Sequence, residues 1–140
     1  YLMHAENGSF DHIVTNPPFF NNSLKSPEQS RNAVRHTDTL PFSLLAEASA
    51  KLLSFSGHLS LVLPVTEGNL FILLAADAGL YLCRKTEVVP TTGKAANRLL
   101  LEFSPAMQPT PDSETIILRD SDRKYTEEYI SLTREFYLNF

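Results

Sequence analysis

The segment His58–Pro64, HLSLVLP, is the sequence feature that most restricts the fold of this chain. Its residues are apolar at nearly every position, and not only at alternate ones, so a strand formed here needs cover on both of its faces. Strands of this kind occur in parallel sheets whose connections are helices. The chain is therefore predicted to be an α/β protein.

The sequence before and after this segment alternates between strand and helix patterns. Phe10–Thr15 is predicted to be a short strand. Thr39 is a plausible cap of a helix whose apolar residues recur at helical spacing until Gly57 ends it. Thr66 can cap a second helix, which Gly79 ends. Strands joined by helices in this way form a parallel sheet through right-handed crossovers.

The later part of the chain predicts two strands with no helix between them, Leu80–Val89 and Arg98–Phe103. Their pairing is expected to be antiparallel, so parallel strands are followed by an antiparallel hairpin, with helices on both faces of the sheet. Residues 105–114 are rich in proline and polar residues and predict a surface linker. A further short strand, TIILR, and a terminal helix, TEEYISLTREFYLNF, are expected after it.

Composition excludes several classes of protein. With 12 Lys and Arg against 16 Asp and Glu, the formal net charge is −4, which argues against a nucleic-acid binder that relies on positive charge everywhere. The single cysteine, Cys83, forms no internal disulfide, and the Cys and His residues lack zinc spacing. Because no apolar run approaches the roughly 20 residues that span a bilayer, we expect a soluble cytoplasmic protein without a metal or a membrane partner.

The most informative motif is NPPF, Asn16–Phe19, which follows the first predicted strand. In open α/β sheets ligands bind at the carboxyl ends of strands, where this motif lies. Pro17 and Pro18 have fixed backbone φ angles and carry no N–H group, so the turn is rigid and offers hydrogen-bond acceptors. These acceptors are the Asn16 side-chain oxygen and nearby carbonyl groups, and they suit a planar amino group. Phe19 supplies a flat surface on which a base can stack.

Such a site has a chemical use. The exocyclic nitrogen of adenine is a poor nucleophile because its lone pair is conjugated with the ring. Acceptors that favour a pyramidal nitrogen stabilise the state in which the lone pair is available to attack. The four residues Asn16, Pro17, Pro18 and Phe19 are therefore the candidate catalytic residues, and no titrating base is required.

Further candidates surround this turn. Residues 21–38 are polar and without a sustained period, which is typical of a long functional loop or of a solvated one. Cationic side chains in this substrate loop and before the last strand can contact RNA phosphates. Each of them is equally typical of a solvated surface, and Phe20 of a core position. The candidate substrate-binding residues are Phe20, Lys25, Arg31, Arg35, His36, Lys94 and Arg98.

The motif after FDHIVT resembles the signature of class I S-adenosylmethionine-dependent methyltransferases that act on planar amino groups. The segments NPPFFNNS, RHTDTLPFSLL, GHLSLVLP, NRLLLEF and YTEEYISLTREFYLNF together resemble the bacterial tRNA1(Val) adenine N6-methyltransferase family. The resemblance implies that S-adenosylmethionine is the cofactor and tRNA the partner. It also implies that Asn16 and Pro17 hold the target amine, that Phe19 stacks on the base, and that Asn16 contacts the cofactor.

One departure from this family concerns the cofactor. The glycine-rich loop and the acidic residue that precede the motif strand in the family are absent, and AENGSF does not replace them. Residues 1–140 are therefore expected to form a single partial methyltransferase domain that lacks the N-terminal cofactor-binding half. By itself it is predicted to be inactive. The strand at residues 10–15 would then be an exposed edge, which can self-associate.

Two other functions remain open from the sequence. Related NPP-bearing families methylate a protein glutamine or the amino group of guanine, and four residues do not separate these substrates. Alternatively, the chain is a noncatalytic half-domain that associates with itself through its exposed strand.

Overall fold

The structure is a computed structural model, and it describes residues 6–18 and 41–137. Five strands and three helices are defined there. In chain order they are β1 (Phe10–Thr15), α1 (Phe42–Leu52), β2 (Leu53–Pro64), α2 (Val65–Asp77), β3 (Tyr81–Val89), β4 (Arg98–Ser104), β5 (Asp112–Ile117) and α3 (Glu127–Thr133).

The five strands form one mixed sheet in the order β1-β2-β4-β3-β5. β1 and β2 are parallel, and β4 is antiparallel to both β2 and β3. The predicted α/β fold, with parallel strands followed by an antiparallel hairpin, is confirmed. β4 lies between β2 and β3, so the hairpin inserts its second strand beside β2. β5 extends the sheet by pairing parallel to β3.

The hydrophobic core lies between this sheet and the helices α1 and α2. Both helices pack on the same face, whereas helices were predicted on both faces. Alternate residues of β2 and β4 point into it, and Phe71 of α2 packs edge to face against Phe42 and Phe103, with ring centroids 5.7 and 5.5 Å away. The fully or almost fully buried residues of this core are Ala46, Leu53, Leu59, Leu61, Leu63, Phe71, Ala75, Leu80, Leu99, Leu101 and Phe103. The remaining side chains of each strand point to the opposite face of the sheet.

Gly57 has a role different from the predicted one. α1 ends at Leu52, and Gly57 lies inside β2, so it does not terminate a helix. A Cβ atom at this position would lie 2.8 Å from the carbonyl oxygen of Phe10 in β1. The β1–β2 register shifts at the same place, between Phe10 and His12. The glycine is needed because the two backbones approach closely, a tertiary feature without a local signal.

The two ends of α2 differ in how well they were predicted. α2 begins at Val65 after Pro64, so Thr66 lies within the helix and the predicted cap is wrong. Its other end agrees with the prediction. Gly79 has a φ of +81°, and the N–H of Leu80 donates to the carbonyl of Ala75, which is a Schellman motif.

The segment after β4 is more ordered than its composition suggested. β5 begins at Asp112, inside the stretch 105–114 that was predicted to be a linker. α3 is shorter than the predicted terminal helix, and Thr126 caps it by accepting a hydrogen bond from the N–H of Tyr129. Leu132 and Phe136 are 57% and 84% exposed, so these two apolar side chains do not pack on the rest of the described residues.

Candidate active site at the carboxyl edge of the sheet

Asn16, Pro17 and Pro18 follow directly on β1 and lie at its carboxyl end. Pro17 is buried, whereas Asn16 and Pro18 are exposed. Within residues 6–18 and 41–137, no hydrogen bond engages the Asn16 side chain. The turn therefore places an exposed Asn16 beside a buried Pro17, and the contact of its carboxamide with a ligand stays a prediction.

Asn16 borders a cleft of about 450 Å³ on the sheet face opposite α1 and α2. This volume is in the range of small-molecule pockets, about 300 to 1,000 Å³. Its floor is largely aliphatic, and it includes Val14 at 73% exposure and Leu100 at 40%. The motif residue therefore lies where an apolar surface meets the carboxyl edge of the sheet.

Polar side chains on the same face form local pairs. His12 Nε2 lies 2.9 Å from Ser60 Oγ, and His58 Nδ1 lies 3.5 Å from Glu102 Oε1. Both contacts join neighbouring strands, which is typical of structural side chains on a sheet face. Ser60 and Glu102, one member of each pair, also line the cleft that Asn16 borders.

Cys83 is buried at 3% exposure, as expected for a small apolar side chain. Burial raises the pKa of its thiol, the negative charge of Glu102 raises it further, and a hydrogen bond with the Ser104 backbone opposes both. The thiol therefore stays protonated and unreactive near neutral pH.

The other predicted site residues divide into two groups. Lys94 is exposed in the connection between β3 and β4, and Arg98 begins β4 directly opposite Pro64, the last residue of β2. Because β1 and β2 are parallel and end at the same edge, Arg98 lies at the edge that carries Asn16. The remaining candidates lie outside the described residues: Phe19, Phe20, Lys25, Arg31, Arg35 and His36.

Sequence reasoning missed the turn after β5. β5 is parallel to β3, so its end reaches the same edge as Arg98, and the turn that follows carries Arg119, Arg123 and Lys124. The only local signal was the charge of these residues, scattered among carboxylates. Their position at the edge follows from the pairing of β5, which the sequence did not specify.

No metal site or membrane helix was found in the described part of the chain. There, His, Cys, Asp and Glu side chains form no group of three or more that could hold a metal ion. No helix in residues 6–18 and 41–137 combines the length and apolarity needed to cross a bilayer.

Comparison with known proteins identifies the relatives of this chain. A tRNA1(Val) (adenine(37)-N6)-methyltransferase from Shewanella sp. strain MR-4 is 42% identical over 131 residues, covering 94% of this chain. One from Aliivibrio fischeri strain ES114 is 38% identical and covers 99% of it. The chain is homologous to the tRNA1(Val) adenine N6-methyltransferases. The resemblance carried by the NPPF motif and the downstream segments is thereby confirmed.

The homology covers part of those methyltransferases. The matches include 56% of the Shewanella protein and 58% of the Aliivibrio protein, so the chain spans about half the length of the curated relatives it matches. No family model matches the chain.

A solved structure gives independent support for the fold. The crystal structure of a predicted O-methyltransferase from Agrobacterium tumefaciens covers 94% of this chain with a TM-score of 0.67. The identity is 17%, so this similarity concerns the fold alone. The chain matches 54% of that protein, a share close to that in the sequence relatives.

Proposed function

We propose that the full-length protein transfers a methyl group from S-adenosylmethionine to the N6 atom of an adenine in tRNA, in the cytoplasm. The observation that carries the proposal is the exposed Asn16 carboxamide, held on a buried proline at the carboxyl end of β1 and next to an open cleft. The names of the relatives support adenine over a protein glutamine or guanine as the substrate.

The residues act by positioning the amine. The side-chain oxygen of Asn16 and the carbonyl oxygen of Pro17 accept hydrogen bonds from the two N–H groups of the adenine. These bonds favour a pyramidal nitrogen whose lone pair is no longer conjugated with the ring, which would stabilise the state that attacks the methyl group. The bond between the methyl group and the cofactor's sulfur would break as the new bond forms, and the methylated nitrogen would then lose one proton to solvent. Pro18 limits the freedom of the turn, and Phe19 stacks on the base. Unstacking a target base costs less free energy in a loop than in a duplex.

Few residues of this chain are placed to contact the cofactor. Asn16 is exposed and lines the cleft, so its carboxamide can contact S-adenosylmethionine, which supplies the methyl group when bound. The rest of the cleft has an aliphatic floor, and its lining contains no glycine-rich turn among the described residues. We therefore assign the other cofactor contacts to the additional sequence that the relatives possess. On this basis the 140-residue chain alone is expected to be inactive.

Lys94 and Arg98 are proposed to contact tRNA phosphates near the target base. Arg98 is two strands away from β1, about 10 Å at the usual spacing of strands. Such contacts fix the position of the RNA without reading its sequence. The same role is proposed for Lys25, Arg31, Arg35 and His36, and Phe20 is proposed to line the base pocket.

The decisive experiment measures N6-methyladenine formation in tRNA by the full-length protein and its Asn16→Ala variant. Loss of an acceptor that acts in the transition state is expected to lower kcat by about 10²- to 10³-fold, by analogy with removal of one oxyanion-hole donor. Asn16→Asp retains an acceptor and should retain more activity. The matched control is Asn69→Ala, because Asn69 is exposed on α2. Equal activity of Asn16→Ala and Asn69→Ala would contradict the assignment.

Self-association of the 140-residue chain is a second proposal, favoured by the position of β1. Among the described strands β1 is an outer one, with Phe10 at 40% and Val14 at 73% exposure. An unpaired strand edge of this kind is a template for pairing with a second copy. Sedimentation of the chain and of a Val14→Lys variant tests this, and a monomeric chain at high concentration would contradict it.

A further inference from the structure

The turn after β5 lies at the same edge of the sheet as Asn16. β5 pairs in parallel with β3, with Ile117 opposite Val89, and the N–H of Thr92 donates to the carbonyl of Arg119 at 2.9 Å. This bond joins the turn to the β3–β4 connection that carries Lys94. Because neighbouring strands lie about 4.8 Å apart, the edge from β1 to β5 is about 19 Å long.

The backbone of this turn is organised by its own hydrogen bonds. Asp120 Oδ1 accepts from the N–H groups of Asp122 and Lys124, at 2.9 and 3.0 Å, and the N–H of Arg123 donates to the carbonyl of Asp120. Arg123 has a φ of +65°, a conformation that a residue with a side chain adopts only at a cost. The turn therefore has a defined shape before any partner binds.

A stack of side chains supports the turn from the side of α3. The Arg119 guanidinium lies 4.0 Å from the centroid of the Tyr125 ring, and the Tyr125 and Tyr129 rings have centroids 5.1 Å apart. Arg119 Nη1 also donates to the carbonyl of Arg123 at 2.7 Å. The exposed side chains of Arg123 and Lys124 thus extend from a turn whose backbone is held by these contacts.

The cationic side chains along this edge form what we call the basic edge: Lys94, Arg98, Arg119, Arg123 and Lys124. It contrasts with the net charge of −4 of the whole chain. Carboxylates are also present nearby. Asp120 is engaged by two backbone N–H groups, and Asp122, Glu127 and Glu128 remain as opposing charges.

We infer that the turn at residues 119–124 is a second phosphate-binding element, which contacts the tRNA backbone several nucleotides away from the target adenine. The inference rests on the proposed function, because it takes the partner to be the tRNA that Asn16 acts on. An edge of about 19 Å spans several phosphates at roughly 3.4 Å of helix axis each on one strand. The turn then fixes the orientation of the RNA, while Asn16 holds the base.

The test compares equilibrium binding of tRNA at increasing salt by the full-length protein and three variants. Arg123→Gly removes a cation and relieves the positive φ, so it leaves the turn unstrained. Lys124→Ala removes the second exposed cation of the turn. Each is expected to lower the slope of log Kd against log salt by about 0.7 to 0.9, and to raise KM for tRNA more than it lowers kcat. The control is Lys51→Ala at the opposite edge, where the carbonyl of Lys51 accepts a bond from the N–H of Gly8.

The outcomes separate this inference from the proposed function. If both variants keep the wild-type slope and KM, the inference is overturned while methyl transfer to tRNA stands. If the wild-type protein binds tRNA and modifies no adenine, but the variants lower the slope, the contact is supported and the proposed function fails. A wild-type protein without affinity for tRNA overturns both.

Discussion

Gly57→Ala is expected to destabilise the protein through close contacts with neighbouring backbone atoms. The added Cβ would lie 2.8 Å from the carbonyl oxygen of Phe10 and 3.1 Å from that of Ser54. Both neighbours are backbone atoms, so no rotation of a side chain relieves the overlap. The strand β1 has to move away from β2, and it carries Asn16 at its end.

The magnitude follows from two opposing effects. Inserting a methyl group into a tightly packed site costs about 1 to 3 kcal/mol. Replacing glycine by alanine within a strand recovers about 0.5 to 1 kcal/mol of backbone entropy. The net loss in the free energy of unfolding is therefore expected to lie between about 0 and 2.5 kcal/mol, with a central value of about 1 kcal/mol.

Urea unfolding of the full-length protein measures this loss, with Ser56→Ala as the control because Ser56 is the exposed neighbour in the same strand. Methyl transfer should fall more than the loss of stability explains, since the displaced strand positions Asn16. A Gly57→Ala variant with the wild-type unfolding midpoint and full activity would refute the close approach of β1.

Three further perturbations have defined outcomes. Gly79→Ala forces a φ of +81° on a residue with a side chain and meets no atom within 4 Å, so the free energy of unfolding should fall by about 1 to 2 kcal/mol and the urea midpoint should be lower; an unchanged midpoint would contradict the Schellman assignment. Thr126→Ala removes the cap of α3, with an expected cost of about 1 kcal/mol, and should speed hydrogen exchange in that helix but not in α2. The pKa of Cys83 is raised above its ordinary value of 9.0, so the unfolded chain ionises first and stability should fall as pH rises above about 9. Cys83→Ala should flatten this pH dependence, and an unaltered profile would rule out the thiol as its source.

Some features of the candidate site and of the fold could be predicted from the local sequence, and others could not. The order Asn16, Pro17, Pro18 after an apolar strand predicts a rigid acceptor turn, because proline restricts the backbone at its own position and at the one before it. The structure places these residues at the carboxyl end of β1, and their role as acceptors stays a prediction. The pairing of the hairpin was also predictable, since no helix separates its strands. By contrast, the helix end assigned to Gly57 was wrong, because a glycine that admits a neighbouring backbone has the same local sequence signal as one that ends a helix.

By itself, the sequence determined the α/β class, the motif at the end of β1 and the Schellman end at Gly79, because each depends on residues close together in the chain. Only the tertiary structure decided that β4 lies between β2 and β3 and that β5 joins the sheet edge beside β3. Strand order is set by which buried faces pack together across long separations in sequence, and composition does not encode it locally. For that reason Asn16, Arg98 and the turn after β5 share one edge only once the chain has folded.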